Sequence, residues 1–413
     1  MIPALSNLVS PVPSLLDELR DFSNFGSPTV LAKVAVPEVG PIPVFTNEFW
    51  TSKQRAAHPL HEVSYRACFK PQLPRFFIER LTQPGDLVYD PFMGRGTTLV
   101  EGALLDRRVA GCDVNPLSRV FVESRLNPPT IEAVADRLRS IDFSWHRELR
   151  TDLRVFYHLS TLRQLTALRH YLIRRITSGN ADHVDRWIQM VATNRLTGHS
   201  PGFFSVYTLP PNQAVSVASQ KRINAKRRQK PERRVVPALI LKKTRQLLSE
   251  SSLSQLSALN SQPPCLLTRS SAFTPELADE SVDLVVTSPP FLDTVDYAQD
   301  NWLRSWFCGI DPATVPIWHL RSVADWTTAM TRVFDELHRV LKPGGFVAFE
   351  VGEVRNGKVQ LEHHAMQAGI AAGLAPVLVI INSQQFTKTA NCWGVSNNIK
   401  GTNTNRVVLF QKL

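Results

Sequence analysis

Ser288-Pro289-Pro290-Phe291 stands directly after the apolar run Val282–Thr287. Two consecutive prolines end a strand and fix an extended turn, because each ring locks φ and neither supplies an N–H. Such a loop offers acceptors: the Ser288 hydroxyl and backbone carbonyls such as that of Pro289. An exocyclic amine on an aromatic base needs acceptors. Its lone pair is delocalised into the ring, and accepting its two protons localises the pair and aims it at an electrophile. Phe291 adds a flat apolar face for stacking an extruded base. Alone, the tetrapeptide reads more readily as a Pro-Pro turn with a buried Phe, so its meaning depends on what accompanies it.

A second loop accompanies it. Asp90-Pro91-Phe92-Met93-Gly94-Arg95-Gly96-Thr97-Thr98 lies between a short apolar strand, Asp86–Asp90, and a helix expected over Thr97–Leu105. Gly94 and Gly96 allow a tight turn and close approach of the backbone to a ligand. The N–H groups at the helix start would face that ligand. The next strand, Arg108–Asp113, ends on a carboxylate placed to accept hydrogen bonds from ribose hydroxyls. No GxxxxGK[ST] occurs, which excludes a phosphate-binding P-loop.

Positioning these loops requires alternating strands and helices. Pro74–Leu81 has helical apolar spacing and precedes the strand-loop-helix-strand run just described. The alternation resumes with strands expected at Cys265–Arg269 and Val282–Thr287 and a helix at Trp326–Leu341. A turn at Pro343-Gly344-Gly345 then leads into the strand Phe346–Gly352. Pro376–Asn382 and Arg406–Lys412 read as an antiparallel pair at a sheet edge. The pattern predicts an α/β fold built on a mostly parallel sheet. Residues 1–44, rich in Pro and Ser, read as an irregular arm. Residues 45–126 and 262–413 form the two halves of the sheet domain, and 127–261 a helical and basic insertion.

Charge is concentrated in that insertion. The chain carries a formal net charge of +11. Between Ser219 and Arg245 stand 11 Lys and Arg against the single acid Glu232, which leaves 36 basic and 35 acidic residues elsewhere. A basic segment of this kind neutralises phosphates, which makes Lys221, Arg222, Lys226, Arg227 and Arg228 candidate nucleic-acid contacts. The alternative is a solvated charged helix or loop. The stretch Arg195–Gln213 supplies Phe203, Phe204, Tyr207, Asn212 and Gln213 nearby. The five cysteines are scattered, without metal-ligand spacing, so no metal is expected. No apolar run long enough to span a bilayer is present, and a cytoplasmic location fits best.

Taken together, DPFMGRGTT, VAGCDVNP and TSPPFLDTVDY resemble the DNA amino-methyltransferases. The resemblance implies a class I, Rossmann-like methyltransferase fold with an inserted target-recognition region. It also implies S-adenosylmethionine as cofactor and double-stranded DNA as substrate. A cognate restriction endonuclease acting separately is the further partner it suggests. In that family the DPF-G-GT loop binds the cofactor, which assigns Asp90, Pro91, Phe92, Gly94, Gly96, Thr97 and Thr98, with Asp113 on the ribose. HEVSYRACFKPQLPRFFIERL resembles the segment that closes over the methionine end, adding Phe69 and Lys70. The [SDN]PP[FYW] loop does the chemistry, which assigns Ser288, Pro289, Pro290 and Phe291. Ser at the first position is typical of cytosine-N4 enzymes, whereas Asp is commoner in adenine-N6 enzymes. HRVLKPGGFVAFEVG and GTNTNRVVLFQK resemble the late strands of the fold.

The order of the loops departs from many Ser-Pro-Pro enzymes, because here the cofactor loop comes first. Most of the gap between the two loops is the insertion, which places target recognition mid-chain. Three other readings stand beside cytosine N4: adenine N6, an RNA methyltransferase, and a non-catalytic nucleic-acid-binding protein. Pro264-Cys265 suggests a carbon-5 cytosine enzyme, but Cys265 opens an apolar strand instead of sitting on a loop at a strand end.

Overall fold

The computed structural model describes residues 12–37, 39–51, 57–66, 68–144, 149–208, 213–249, 263–292, 297–318, 320–354, 359–383 and 404–413. Eleven strands are found among them. They are β1 (Val30–Val36), β2 (Gly40–Asn47), β3 (Leu87–Asp90), β4 (Arg108–Cys112), β5 (Cys265–Leu267), β6 (Val282–Thr287), β7 (Leu341–Val351), β8 (Glu353–Val354), β9 (Val359–Gln360), β10 (Ala375–Ser383) and β11 (Thr404–Gln411). Nine form one sheet in the order β1-β2-β10-β11-β7-β6-β3-β4-β5, and β8 and β9 make a separate ribbon.

β5, β4, β3, β6 and β7 are mutually parallel. The chain steps outward from β3 through β4 to β5, then returns to β6 on the other side of β3. Strand order therefore reverses between β3 and β6, and in doubly wound sheets the ligand crevice opens at that point. The cofactor loop follows β3 and the Ser288 loop follows β6, so both reach the crevice. This is the class I arrangement that the sequence resemblance implied.

Side chains alternate between the faces of these strands. Val88, Leu284, Val286 and Ala348 pack with helices Val12–Asp21 and Gln72–Leu81. Tyr89, Val285, Val347 and Phe349 pack with helices Val323–Val340 and Leu361–Ala371. The insertion folds into helices Ile131–Ser140, Leu159–Thr177, His183–Arg195, Val217–Arg227 and Val236–Leu247. Leu165, Trp187 and Ile240 from these helices share one core with Leu99, Phe121 and Val122 behind the glycine loop. The insertion is thus continuous with the hydrophobic support of the crevice.

Three expectations need correction. First, the stretch expected to be an irregular arm contains helix Val12–Asp21, β1 and part of β2. Its prolines obscured the strand, yet Pro41 and Pro43 are tolerated. β2 pairs with β10 only from Val44 to Asn47, so at the prolines it has a single partner, β1. Second, β10 and β11 do pair antiparallel, but not at an edge: β11 lies against β7, and β10 is flanked by β2. Third, Pro343-Gly344-Gly345 is an irregularity within β7. Val282 pairs with Leu341 and Leu284 with Phe346, so the residues between bulge out, and Gly344 takes φ +81°. The last part of the expected insertion, residues 250–261, and the candidate Asn212 lie outside the described residues.

Candidate methyl-transfer site

A cleft with about 820 Å³ of open space lies over the ends of β3, β4 and β6. It is lined by both loops. Of the sequence-predicted cofactor residues, Phe69, Asp90, Phe92, Gly94, Thr97 and Asp113 line it. From the catalytic tetrapeptide, Ser288 and Pro290 line it.

β3 delivers Asp90 and β4 delivers Asp113, each at the carboxyl end of its strand. The Asp113 carboxylate accepts from Gly94 N–H (2.9 Å) through one oxygen and from Asn115 N–H (2.8 Å) through the other. These bonds tie the glycine loop to β4. Burial pushes the Asp113 carboxyl up, and the two backbone N–H groups hold it down. Asp90 is 1% exposed and accepts from Thr287 Oγ1 (2.6 Å) and Phe92 N–H (3.0 Å). Loss of solvent dominates there and pushes its carboxyl up to about 7, against the pull of those hydrogen bonds.

The two glycines do different things. Gly94, at φ +48°, lines the cleft and has open space beside it, its nearest neighbours being Cys68 Sγ and Tyr65 at 3.7 and 3.9 Å from a notional Cβ. Gly96, at φ +74°, faces away, and a Cβ there would lie 2.4 Å from Val122. Gly96 therefore permits close packing of helix Pro116–Leu126, not the approach of a ligand as the sequence suggested. It also opens helix Thr97–Leu104, whose N-terminus carries no side-chain cap.

Other predicted residues lie around the rim or behind it. Thr98 is buried and donates to Val286 O (3.0 Å), joining the loop helix to β6. Pro91 O accepts from Ser271 Oγ (2.5 Å), which fixes the loop to the segment after β5. Lys70 and Pro289 do not line the cleft, and Pro289 is buried. Phe291 does not line it either: its ring lies against Gly352 and packs on the core with Trp326 and Val351. The Pro290 carbonyl already accepts from Trp326 Nε1 (3.0 Å).

Several lining residues were missed. Tyr65 and Tyr297 stack at 6.0 Å, and Asn115 Nδ2 donates to the Tyr65 hydroxyl (3.3 Å). Ile317 and Trp318 form an apolar wall with Phe92, whose ring meets Trp318 edge-on at 6.1 Å. Asn115 had a local signal, the Asn-Pro start of a helix that it caps. Ile317 and Trp318 had none. Behind Ser288 stands Glu350 on β7, 6% exposed, whose carboxylate accepts the Ser288 hydroxyl proton and a bond from Asn405 Nδ2 (3.0 Å). Burial pushes this carboxyl up, opposed by those two bonds. A lone acid inside the apolar strand FVAFEV was the available clue, because a buried charge needs a partner. Cys265, by contrast, sits in β5 with a thiol pushed up by burial, which is unsuited to nucleophilic attack.

The residues fit S-adenosylmethionine. Carboxylates at Asp90 and Asp113 can accept from an ammonium group and ribose hydroxyls, the Gly94 surface is clear, and Phe69, Phe92, Met93, Ile317 and Trp318 supply apolar walls. The candidate nucleic-acid residues lie apart from the cleft. Lys221, Arg222, Lys226 and Arg227 are exposed on helix Val217–Arg227, and Arg228 caps it in the left-handed region at φ 48°. Arg227 also covers the Tyr207 ring at 3.7 Å. Of the other basic residues in the run, Lys243 is buried against Glu62 and Arg234 pairs with Glu232 at 3.0 Å. Among the described residues no helix is long and apolar enough to cross a membrane.

Residues 41–118, which hold β3, the glycine loop and β4, match the DNA methylase family of the N6/N4 type. The type II methyltransferase M.MvaI of Kocuria varians is 26% identical over 288 residues, 62% of this chain and 58% of that protein. M.BsoBI of Geobacillus stearothermophilus is 23% identical over 301 residues, 64% of this chain and 55% of that protein. M.MjaII of Methanocaldococcus jannaschii is 34% identical over 82 residues, 20% of this chain and 16% of that protein. The chain therefore spans little more than half the length of its longer-matching relatives. The chain is thus similar to the DNA methylases of the N6/N4 type over residues 41–118 and to type II methyltransferases over about three fifths of its length.

Proposed function

We propose that the chain methylates the N4 amino group of cytosine in duplex DNA. The observation that carries this reading is the Ser288–Glu350 pair. Ser288 lines the cleft together with Asp90 and Asp113, and its own proton is committed to Glu350. Its lone pairs are left facing the cleft, so it acts there as an acceptor for an amine proton. Bound S-adenosylmethionine supplies a methyl group made electrophilic by its sulfonium.

The chain's own residues then do the rest. Asp90 and Asp113 hold the ammonium and ribose ends. Ser288 accepts one proton of the amine, which orients the nitrogen lone pair along the cleft. No covalent enzyme intermediate is needed, and catalysis is positioning with electrostatics. The target base leaves the duplex to reach this depth. Pro290 and Trp318 supply the apolar surface beside Ser288, and Phe291 supports the loop from behind. Lys221, Arg222, Lys226, Arg227 and Arg228 contact the DNA backbone.

The test is incubation with methyl-labelled S-adenosylmethionine and mixed-sequence duplex DNA, or RNA, followed by digestion and nucleoside mass spectrometry. N4-methylcytosine in DNA is expected. N6-methyladenine would keep the mechanism and overturn the base assignment. Label in RNA alone would overturn the substrate class.

A further inference from the structure

Residues 60–66 and 68–70 form a strap across the cofactor end of the cleft that opens on the 3-10 turn Pro59–His61. Among the described residues it pairs with no strand, so its backbone must find partners elsewhere. Side chains from four separate elements provide them. Arg125, from helix Pro116–Leu126, donates to Leu60 O (2.9 Å). Arg95, in the glycine loop, donates to Val63 O (2.9 Å) and Phe69 O (3.1 Å). Arg304, from helix Trp302–Cys308, donates to Ser64 O (2.8 Å).

The fourth element is the insertion. Asn194, 2% exposed in the last turn of helix His183–Arg195, engages the strap at two points. Its Oδ1 accepts from Ser64 N–H (3.0 Å) and its Nδ2 donates to Glu62 O (2.9 Å). One side-chain amide thus replaces a neighbouring strand. Lys243, also from the insertion, pairs with the Glu62 carboxylate. The residue after Ser64 is Tyr65, which lines the cleft beside Gly94 and Asp113 and is braced by Tyr297 and Asn115.

We propose that Asn194 is a positioning residue for the cofactor site: by clamping Glu62 and Ser64 it presents Tyr65 to the cofactor. The inference rests on the reading of the cleft as a cofactor site. It makes the insertion a structural part of the methyl-donor end as well as the carrier of the basic helix.

Calorimetric titration of the full chain with S-adenosylhomocysteine tests this, and separates it from the reading it rests on. Absence of binding by the unsubstituted protein would overturn that reading itself. With binding established, Asn194→Ala is expected to weaken it about tenfold, the cost of losing a well-placed buried hydrogen-bonding group. KM for S-adenosylmethionine should rise by more than kcat falls. Tyr65→Leu should weaken binding by a similar factor, and the double variant should lose no more than the worse single one, because both act through one ring. A folded Asn194→Ala protein with unchanged affinity, whatever its melting temperature, would overturn the proposal. So would independent, multiplying losses in the double variant. Should the alanine variant not fold, Asn194→Asp keeps the acceptor for Ser64 N–H and removes the donor to Glu62. It is expected to weaken binding in the same direction, and unchanged affinity would again overturn the proposal.

Discussion

At the donor end of the cleft two carboxylates, Asp90 and Asp113, already accept hydrogen bonds from N–H groups of their own loops, which fix them before any ligand arrives. At the acceptor end no charged group lines the wall among the described residues. There a serine is turned into an acceptor by a carboxylate standing behind it. The difference follows from what each end must hold. In the proposed reading, a cofactor with an ammonium group and hydroxyls is met by the anionic acceptors Asp90 and Asp113. An exocyclic amine is met here by a neutral oxygen whose own proton is directed away to Glu350.

The largest effect expected from breaking this division is at Ser288. Ser288→Ala should lower kcat about a hundredfold, the usual cost of one hydrogen bond made to the reacting group, while leaving S-adenosylhomocysteine affinity unchanged. Equal losses in both would show that the ends are not separate. Asp113→Ala should do the converse, weakening the cofactor by about tenfold to a hundredfold with a smaller change in kcat at saturation. Calorimetry and initial rates distinguish the two.

Asp90 sharpens the comparison through pH. Its carboxyl is raised from an ordinary value of 3.8 to about 7. A cationic ammonium favours the ionised form, so cofactor affinity should be level above about pH 7 and fall below it, by at most tenfold per pH unit for one proton. The ligand-free protein behaves in the opposite sense. A carboxyl that holds its proton more tightly when folded contributes stability that is fully present below its unfolded value and lost as pH rises through about 7. Titrations across pH check both, and Asp90→Asn should flatten them.

The smallest effect on the cleft belongs to the basic helix. Replacing Lys221, Arg222 and Lys226 with glutamine should weaken duplex DNA binding and reduce the salt slope by about 0.9 for each lost phosphate contact. Cofactor affinity in the absence of DNA should not change. An unchanged salt slope would remove this helix from the DNA interface.

These differences also mark what could be read from the residues in order. DPFMGRGTT and the Asp113 strand end are local: strand, turn and helix stand within one short run, and the glycine and proline requirements are written beside them. Asp90, Gly94 and Asp113 were therefore legible. The Pro-rich β2 was not, because its tolerance of Pro41 and Pro43 depends on where β10 begins to pair with it. Tyr65 and Trp318 reach the cleft, and Glu350 stands behind Ser288, from elements far away in the chain, and their contribution appears only once β7, the strap and the segment before helix Val323–Val340 are packed. Phe291 shows the reverse: a motif position whose expected face is turned toward Gly352.

The central claim is that Glu350 works through Ser288. A double-variant cycle of single-turnover rates, using Ser288→Ala, Glu350→Gln and the two combined, tests it most directly. Glu350→Gln would present an amide that can donate to Ser288 Oγ and occupy the lone pair the amine requires, so a loss of about tenfold to a hundredfold is expected. If the carboxylate acts only by setting the serine, the double variant will be as slow as Ser288→Ala alone. If the two losses multiply, Glu350 acts on the reaction independently of Ser288, and this account of the acceptor end is wrong.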